Sequence, residues 1–129
     1  MPLIRIDITE GRSDAAIKTL MDTVQDCVVE AFKVPVKDRY QIVTEHKPGR
    51  IILEDTGLGF ERTDQAIVIQ VFTSPRTTVN KTKFYKLLAD SLKEQCDLNP
   101  KDLLVSVMTN TDVDWSFGFG STQYLTGEL

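Results

Sequence analysis

The second residue of this chain is a proline, and the stretch Met1-Pro2-Leu3-Ile4-Arg5-Ile6 could present a group that no other residue type supplies. A small residue after the initiator methionine usually lets that methionine be trimmed. Pro2 would then carry a free secondary amine on a rigid ring. Leu3, Ile4, Ile6 and Ile8 follow in a pattern that reads as strand. A strand start would fix the amine inside a fold. Near an apolar wall the charged form of an amine is disfavoured, which lowers its pKa. Such a group can accept a proton near neutral pH, donate one while still protonated, or attack a carbonyl. A Met-Pro start with no chemical task is the alternative, and the dipeptide alone does not separate the two.

Other residues could serve that amine. Asp38 precedes a second strand-like run. A carboxylate within hydrogen-bond reach of the amine favours the ammonium form and so opposes the apolar wall. Asp38 could equally cap or end an element, as Asp102 could in the other half, and the residues leave both readings open. Arg76 follows a proline in a loop after a buried run; it is either a solvated charge or an anchor for a substrate carboxylate. Trp115, Phe117 and Phe119 read first as core or interface residues, although an apolar wall that excludes water suits them too. His46 is the only histidine, which rules out His-rich metal sites. It stands before Lys47-Pro48-Gly49 and reads as the end of a strand. Cys27 and Cys96 form no CxxC and read as reduced packing residues. Gly57-Leu58-Gly59 lacks the third glycine of a dinucleotide fingerprint and reads as a flexible loop.

The elements that would hold these residues follow from periodicity. Residues 2–8 read as strand, and Ser13 is an N-cap for a helix over about 14–33. Ile17, Leu20, Met21, Val24, Cys27, Val28, Ala31 and Phe32 mark one face of that helix. Pro35 stops it. A strand over about 39–46 comes next, with Tyr40 and Ile42 alternating against Gln41 and Val43. A short apolar run, Ile51-Ile52-Leu53, precedes a loop over 54–64. A second cycle then begins with a buried strand over 66–73 and a helix over about 79–96 carrying Phe84, Leu87, Leu88 and Leu92 on one face. A strand over 103–108 closes it, and an aromatic, glycine-rich tail follows from Asn110.

The two cycles match under a shift of 64 residues, which places Lys37-Asp38 on Lys101-Asp102 and Leu20, Val24 and Val28 on Phe84, Leu88 and Leu92. One strand–helix–strand unit therefore occurs twice, over about 2–47 and 66–110, within a single domain spanning 1–129. Such units need parallel strands and a crossover. The expected fold is α+β: one four-stranded mixed sheet with both helices on one face. The other face would be bare, and subunit association is its natural cover.

Composition narrows the partners. Fifteen Lys and Arg against nineteen Asp and Glu give a net charge of −4, which argues against nucleic acid as the main partner. No apolar run approaches a membrane span, and no signal-peptide core follows Met1. The expected location is the cytoplasm.

Seven stretches, taken in order, resemble the tautomerase superfamily, and within it the malonate semialdehyde decarboxylases. They are Pro2-Leu3; Val34-Pro35 with Asp38-Arg39-Tyr40-Gln41; Leu53-Glu54-Asp55-Thr56-Gly57-Leu58-Gly59; Ser74-Pro75-Arg76; Phe84-Tyr85-Lys86-Leu87-Leu88; Asp114-Trp115-Ser116-Phe117-Gly118; and Leu125-Thr126-Gly127. The resemblance covers essentially the whole chain. It implies a catalytic Pro2 with Asp38 as its partner, Arg76 binding the substrate carboxylate, and an apolar wall at Trp115 and Phe117, with Tyr124 where a further aromatic is expected. It also implies an oligomer whose sheets face one another, here expected to be a homotrimer with the helices outside. At Ser74 the chain departs from the pattern, which has a second arginine before the proline. A guanidinium gives bidentate, always-charged carboxylate binding, and serine cannot supply it.

The activity implied is cofactor-independent and metal-free chemistry on a small carboxylate-bearing oxo acid. Decarboxylation of malonate semialdehyde or a similar 3-oxo acid leads. Enol–keto tautomerisation of a 2-oxo acid, or hydration of an unsaturated acid, comes next. A non-catalytic trimeric scaffold is the rival from outside enzymology.

Overall fold

Alternation decides the first strand. In β1 (Pro2–Thr9), Ile4, Ile6 and Ile8 are buried, while Leu3, Arg5 and Asp7 point the other way and are only partly covered. The computed structural model describes all 129 residues. Ser13 opens α1 (Asp14–Phe32), its Oγ accepting the amide of Ala16 at 3.1 Å. Lys33, in the left-handed region, closes it with a bond from its amide to the carbonyl of Val29. The second half repeats this grammar. Thr77 caps α2 (Thr78–Cys96) by accepting the Asn80 amide at 3.1 Å, and left-handed Asp97 ends it. β2 (Tyr40–His46), β3 (Ile67–Thr73) and β4 (Leu103–Thr109) complete the sheet, and a short α3 (Gln123–Thr126) follows in the tail.

The strand order is β2-β1-β3-β4, with β1 parallel to β2, β3 parallel to β4, and β1 antiparallel to β3. The sheet is thus mixed, as expected. Ile4, Ile6 and Ile8 of β1 pair across with Val71, Ile69 and Ile67 of β3. They pack on Leu20, Val24 and Val28 of α1 and on Phe84, Leu88 and Leu92 of α2. Both helices therefore lie on one face. The opposite face is open and carries Leu3, Tyr40, Ile42, Val68, Phe72, Leu104 and Met108 among polar neighbours such as Arg5 and Gln70.

The apolar run Ile51-Ile52-Leu53 forms no regular strand. Two expectations need adjustment. Gly57-Leu58-Gly59 is anchored, because Asp55 accepts the amides of Gly57 and Gly59 at 3.1 and 2.8 Å. Those two bonds hold the Asp55 carboxyl below its ordinary pKa. Phe119 is neither core nor covered within the protomer: it is fully exposed, with a φ of 59° between Gly118 and Gly120. His46 does end β2, where it pairs with Asp7 at 2.7 Å. No helix is long and apolar enough to cross a membrane.

Candidate active site

Topology brings the candidate residues to one end of the sheet. β1 and β2 begin there, and the antiparallel pairing of Pro2 with Thr73 brings the end of β3 alongside. β4 ends there too, beside β3. α1 therefore finishes at this end, and α2 starts from it. Pro2 is buried as the first residue of β1.

The N-terminal amine, here on Met1, lies 3.9 Å from Asp38 Oδ2 and donates a hydrogen bond to the Tyr124 hydroxyl at 3.1 Å. Burial lowers the pKa of this amine. The charge of Asp38 opposes that shift, and Arg76 adds to it. Asp38 is only 7% exposed, and its Oδ1 has no hydrogen-bond partner. Desolvation raises its pKa, against the pull of the amine and of Arg76. A buried carboxylate with an unpartnered oxygen is costly, and such groups concentrate at functional sites.

Arg76 is held from below. Its Nε donates to Thr73 Oγ1 at 3.1 Å and its Nη1 to the Phe32 carbonyl at 3.2 Å, with the guanidinium 5.1 Å from the centre of the Phe32 ring. The cation is thereby oriented while keeping donors for an anion. Tyr124 has its pKa raised, first by burial and then by the charges of Asp38 and Asp112. The nearby Ser74 side chain pulls the other way.

The aromatic wall is continuous. Trp115 stacks on Phe117 with ring centres 5.3 Å apart, Tyr124 meets Phe117 edge-on at 5.4 Å, and Tyr40 stacks on it at 5.8 Å. The tail is tied to the sheet by the Asn110 amide, which donates to the Thr73 carbonyl at 2.8 Å. Trp115 Nε1 donates to Asn110 Oδ1 at 2.7 Å. Gln123, itself buried, accepts the Phe117 amide at 3.0 Å and donates to the Gly118 carbonyl at 3.1 Å.

Pro2, Asp38, Ser74, Arg76, Trp115, Phe117 and Tyr124 lie at this end of the sheet, whereas Phe119, read together with Trp115 and Phe117, is fully exposed. The residues that orient them were not anticipated. Thr73, Phe32, Asn110 and Gln123 act through hydrogen bonds that no spacing announces. Thr73 left one trace, a polar residue on the buried phase of β3 with no exposure at all.

Residues 2–61 match a family model described as tautomerase enzyme, and residues 38–118 match a second model of the same description. The chain belongs to the tautomerase family, whose members include isomerases and lyases. The probable tautomerase YrdN of Bacillus subtilis (strain 168) is 50% identical over 129 residues, covering 100% of both chains. A malonate semialdehyde decarboxylase with decarboxylase and hydratase activities superimposes with a TM-score of 0.95 at 45% identity, over 98% of each chain. A fused 4-OT symmetric trimer shares the fold, with a TM-score of 0.79 at 20% identity over 97% of this chain and 98% of that one.

Proposed function

We propose that the protein is a cofactor-independent decarboxylase of malonate semialdehyde or a similar 3-oxo acid, working through an N-terminal proline. The observation that carries this reading is the buried Asp38 carboxylate, one oxygen unpartnered and the other 3.9 Å from the desolvated Met1 amine just ahead of β1, with Arg76 bearing on both. Removal of Met1 passes the amine to Pro2. Arg76 then holds the substrate carboxylate, turned out of the carbonyl plane so that the breaking bond overlaps the C=O π-system. The Pro2 ammonium hydrogen-bonds the 3-carbonyl. As the C1–C2 bond breaks, its electron pair forms the C2–C3 double bond, and the carbonyl oxygen takes the proton. Carbon dioxide leaves, and the enol ketonises. An iminium on Pro2 would provide the same sink. Asp38 steadies the charged amine and can position a water, while Trp115, Phe117 and Tyr124 keep the site apolar.

Ser74 favours a second reading. With one arginine in the loop, enol–keto tautomerisation of a 2-oxo acid asks less of the carboxylate anchor than decarboxylation does. Similarity to a probable tautomerase supports the same alternative. The two separate when Met1-free protein, checked by intact mass, meets a 3-oxo acid and a 2-oxo enol. Carbon dioxide release on the first is the expected result. Faster enol loss on the second selects the tautomerase, and failure on both leaves a scaffold.

A further inference from the structure

We infer that the protein carries a second, non-catalytic carboxylate site at the far end of the sheet, where Arg12 stands as Arg76 stands at the first end. This rests on reading Arg76 as a carboxylate anchor. The helices of the two halves keep the 64-residue offset, α1 and α2 beginning at residues 14 and 78 and ending at 32 and 96, while the strands slip by one residue against it, β2 beginning at 40 and β4 at 103. Arg12 precedes the N-cap Ser13 as Arg76 precedes the N-cap Thr77. Cys96 ends α2 as Phe32 ends α1, and buried Asp102 matches buried Asp38.

The differences point to binding without chemistry. At the first end the Phe32 ring covers the guanidinium of Arg76. At the far end the smaller Cys96 takes that place. There a cavity of about 450 Å³ opens between the start of α1 and the end of α2, lined by Arg12, Leu20, Ile67, Cys96 and Leu98. That volume lies within the range of small-molecule sites. Arg12 is half-buried, and its one hydrogen bond runs from Nη2 to the Gln65 carbonyl at 2.7 Å. Most of its five donors are left for an anion, and a carboxylate suits a guanidinium bidentately. Leu20, Ile67 and Leu98 offer apolar surface to a short chain.

No amine is present. The residue 64 positions after Pro2 is Ala66, just ahead of β3, and its nitrogen is a peptide amide donating to the Thr63 carbonyl at 3.2 Å. Glu94 and Asp97 also line the cavity and set the ligand charge. They repel a dianion more than a monoanion, so the ligand is a short monocarboxylate.

Cys96 reports on this cavity, and buried Cys27 serves as the internal control. Alkylation by iodoacetamide is followed by peptide mass at constant ionic strength, with propanoate or malonate added. Propanoate should slow Cys96 modification saturably, by about tenfold, and malonate should do so less. The protection should vanish in Arg12→Gln and persist in Arg76→Gln. A second readout, the Arg12 Nε resonance, should shift with propanoate in wild type but not in Cys96→Phe, which refills the cavity. Absence of saturable protection, or protection that survives Arg12→Gln, overturns the inference. Retained turnover in Arg76→Gln would remove the reading of the first site while leaving Arg12 protection as an independent result.

Discussion

Asp38 and Asp102 lie 64 residues apart at matching places in the two halves, and only one of them is tied down. Thr63 satisfies both oxygens of Asp102, through its amide at 2.7 Å and its hydroxyl at 2.6 Å. Asp38 keeps one oxygen unpartnered and turns the other toward the amine at 3.9 Å. The first clasps the loop over 54–64 to the turn just ahead of β4, and the second keeps its hydrogen-bonding capacity free. Asp102→Ala should therefore cost stability, roughly 1.5–3 kcal/mol for each charge-assisted bond lost, with little change in kcat/KM. Asp38→Asn should lower kcat/KM by two powers of ten or more without lowering the urea midpoint at neutral pH. The sign follows from linkage. Folding raises the Asp38 pKa, so its stabilising contribution is present below the unfolded value and lost as pH rises through the folded one. At neutral pH the variant loses a penalty. Urea melts and steady-state rates on both variants check this; a large destabilisation by Asp38→Asn would make it a second clasp.

The amine gives a pH prediction. Burial holds it below the ordinary range of an α-amino group, with Asp38 pulling up and Arg76 pushing down. Removing a negative neighbour destabilises the ammonium, so Asp38→Asn should lower the amine pKa further. Arg76→Gln should raise it. NMR titration of a ¹⁵N-labelled terminus measures both. In Met1-free protein the Pro2 amine answers to the same two side chains, so where its ammonium is the active form the alkaline limb of kcat/KM should move in the same two directions. Movement of both variants the same way would show that charge is not the cause.

Retained Met1 should abolish activity. With Met1 in place the Pro2 nitrogen is an amide, neither basic nor nucleophilic, while the Met1 amine sits where chemistry is proposed. Protein with and without Met1, separated by mass, should differ at least a thousandfold in turnover. Equal rates would remove Pro2 from the mechanism.

Strands and helices were legible because their burial is periodic. Ile4, Ile6 and Ile8 alternate, and Leu20, Val24 and Val28 recur every fourth residue, so each element announces its own inner face. The site was legible only through the family pattern. Asp38 and Asp102 look alike in sequence, and what divides them is Thr63, a residue remote in the chain from both Asp38 and Asp102. The bonds that aim Arg76 and Trp115 likewise come from Thr73, Phe32 and Asn110, none of which has a fixed spacing to read.

The open sheet face should close in a homotrimer. Leu3, Val68, Phe72, Leu104 and Met108 lie on the side away from the helices, where the protomer leaves them only partly covered. Light scattering at micromolar concentration should give three times 14.5 kDa. Phe72→Glu should shift the mass toward the monomer, since a charge at the centre of an apolar contact is not compensated there. A wild-type monomer would leave the face without this role.

Arg76 should hold the substrate while Ser74 limits decarboxylation. A charge-assisted hydrogen bond is worth about 1.5–3 kcal/mol. Used in the transition state, that corresponds to about one to two powers of ten in rate. Arg76 is oriented by Thr73 and Phe32, so Arg76→Ala loses a pre-aimed cation and should cripple turnover on both a 3-oxo acid and a 2-oxo enol. Ser74→Arg adds a second fork on the far side of Pro75 and should raise decarboxylation of the 3-oxo acid by ten- to a hundredfold. It also replaces the serine that bears on Tyr124, so enol turnover should fall or stay level. The measurement is kcat/KM for wild type and both variants on both substrates. Full activity in Arg76→Ala would make Arg76 a surface charge. A dead Arg76→Ala beside an unchanged Ser74→Arg would keep the anchor and show that serine already meets the needs of this site.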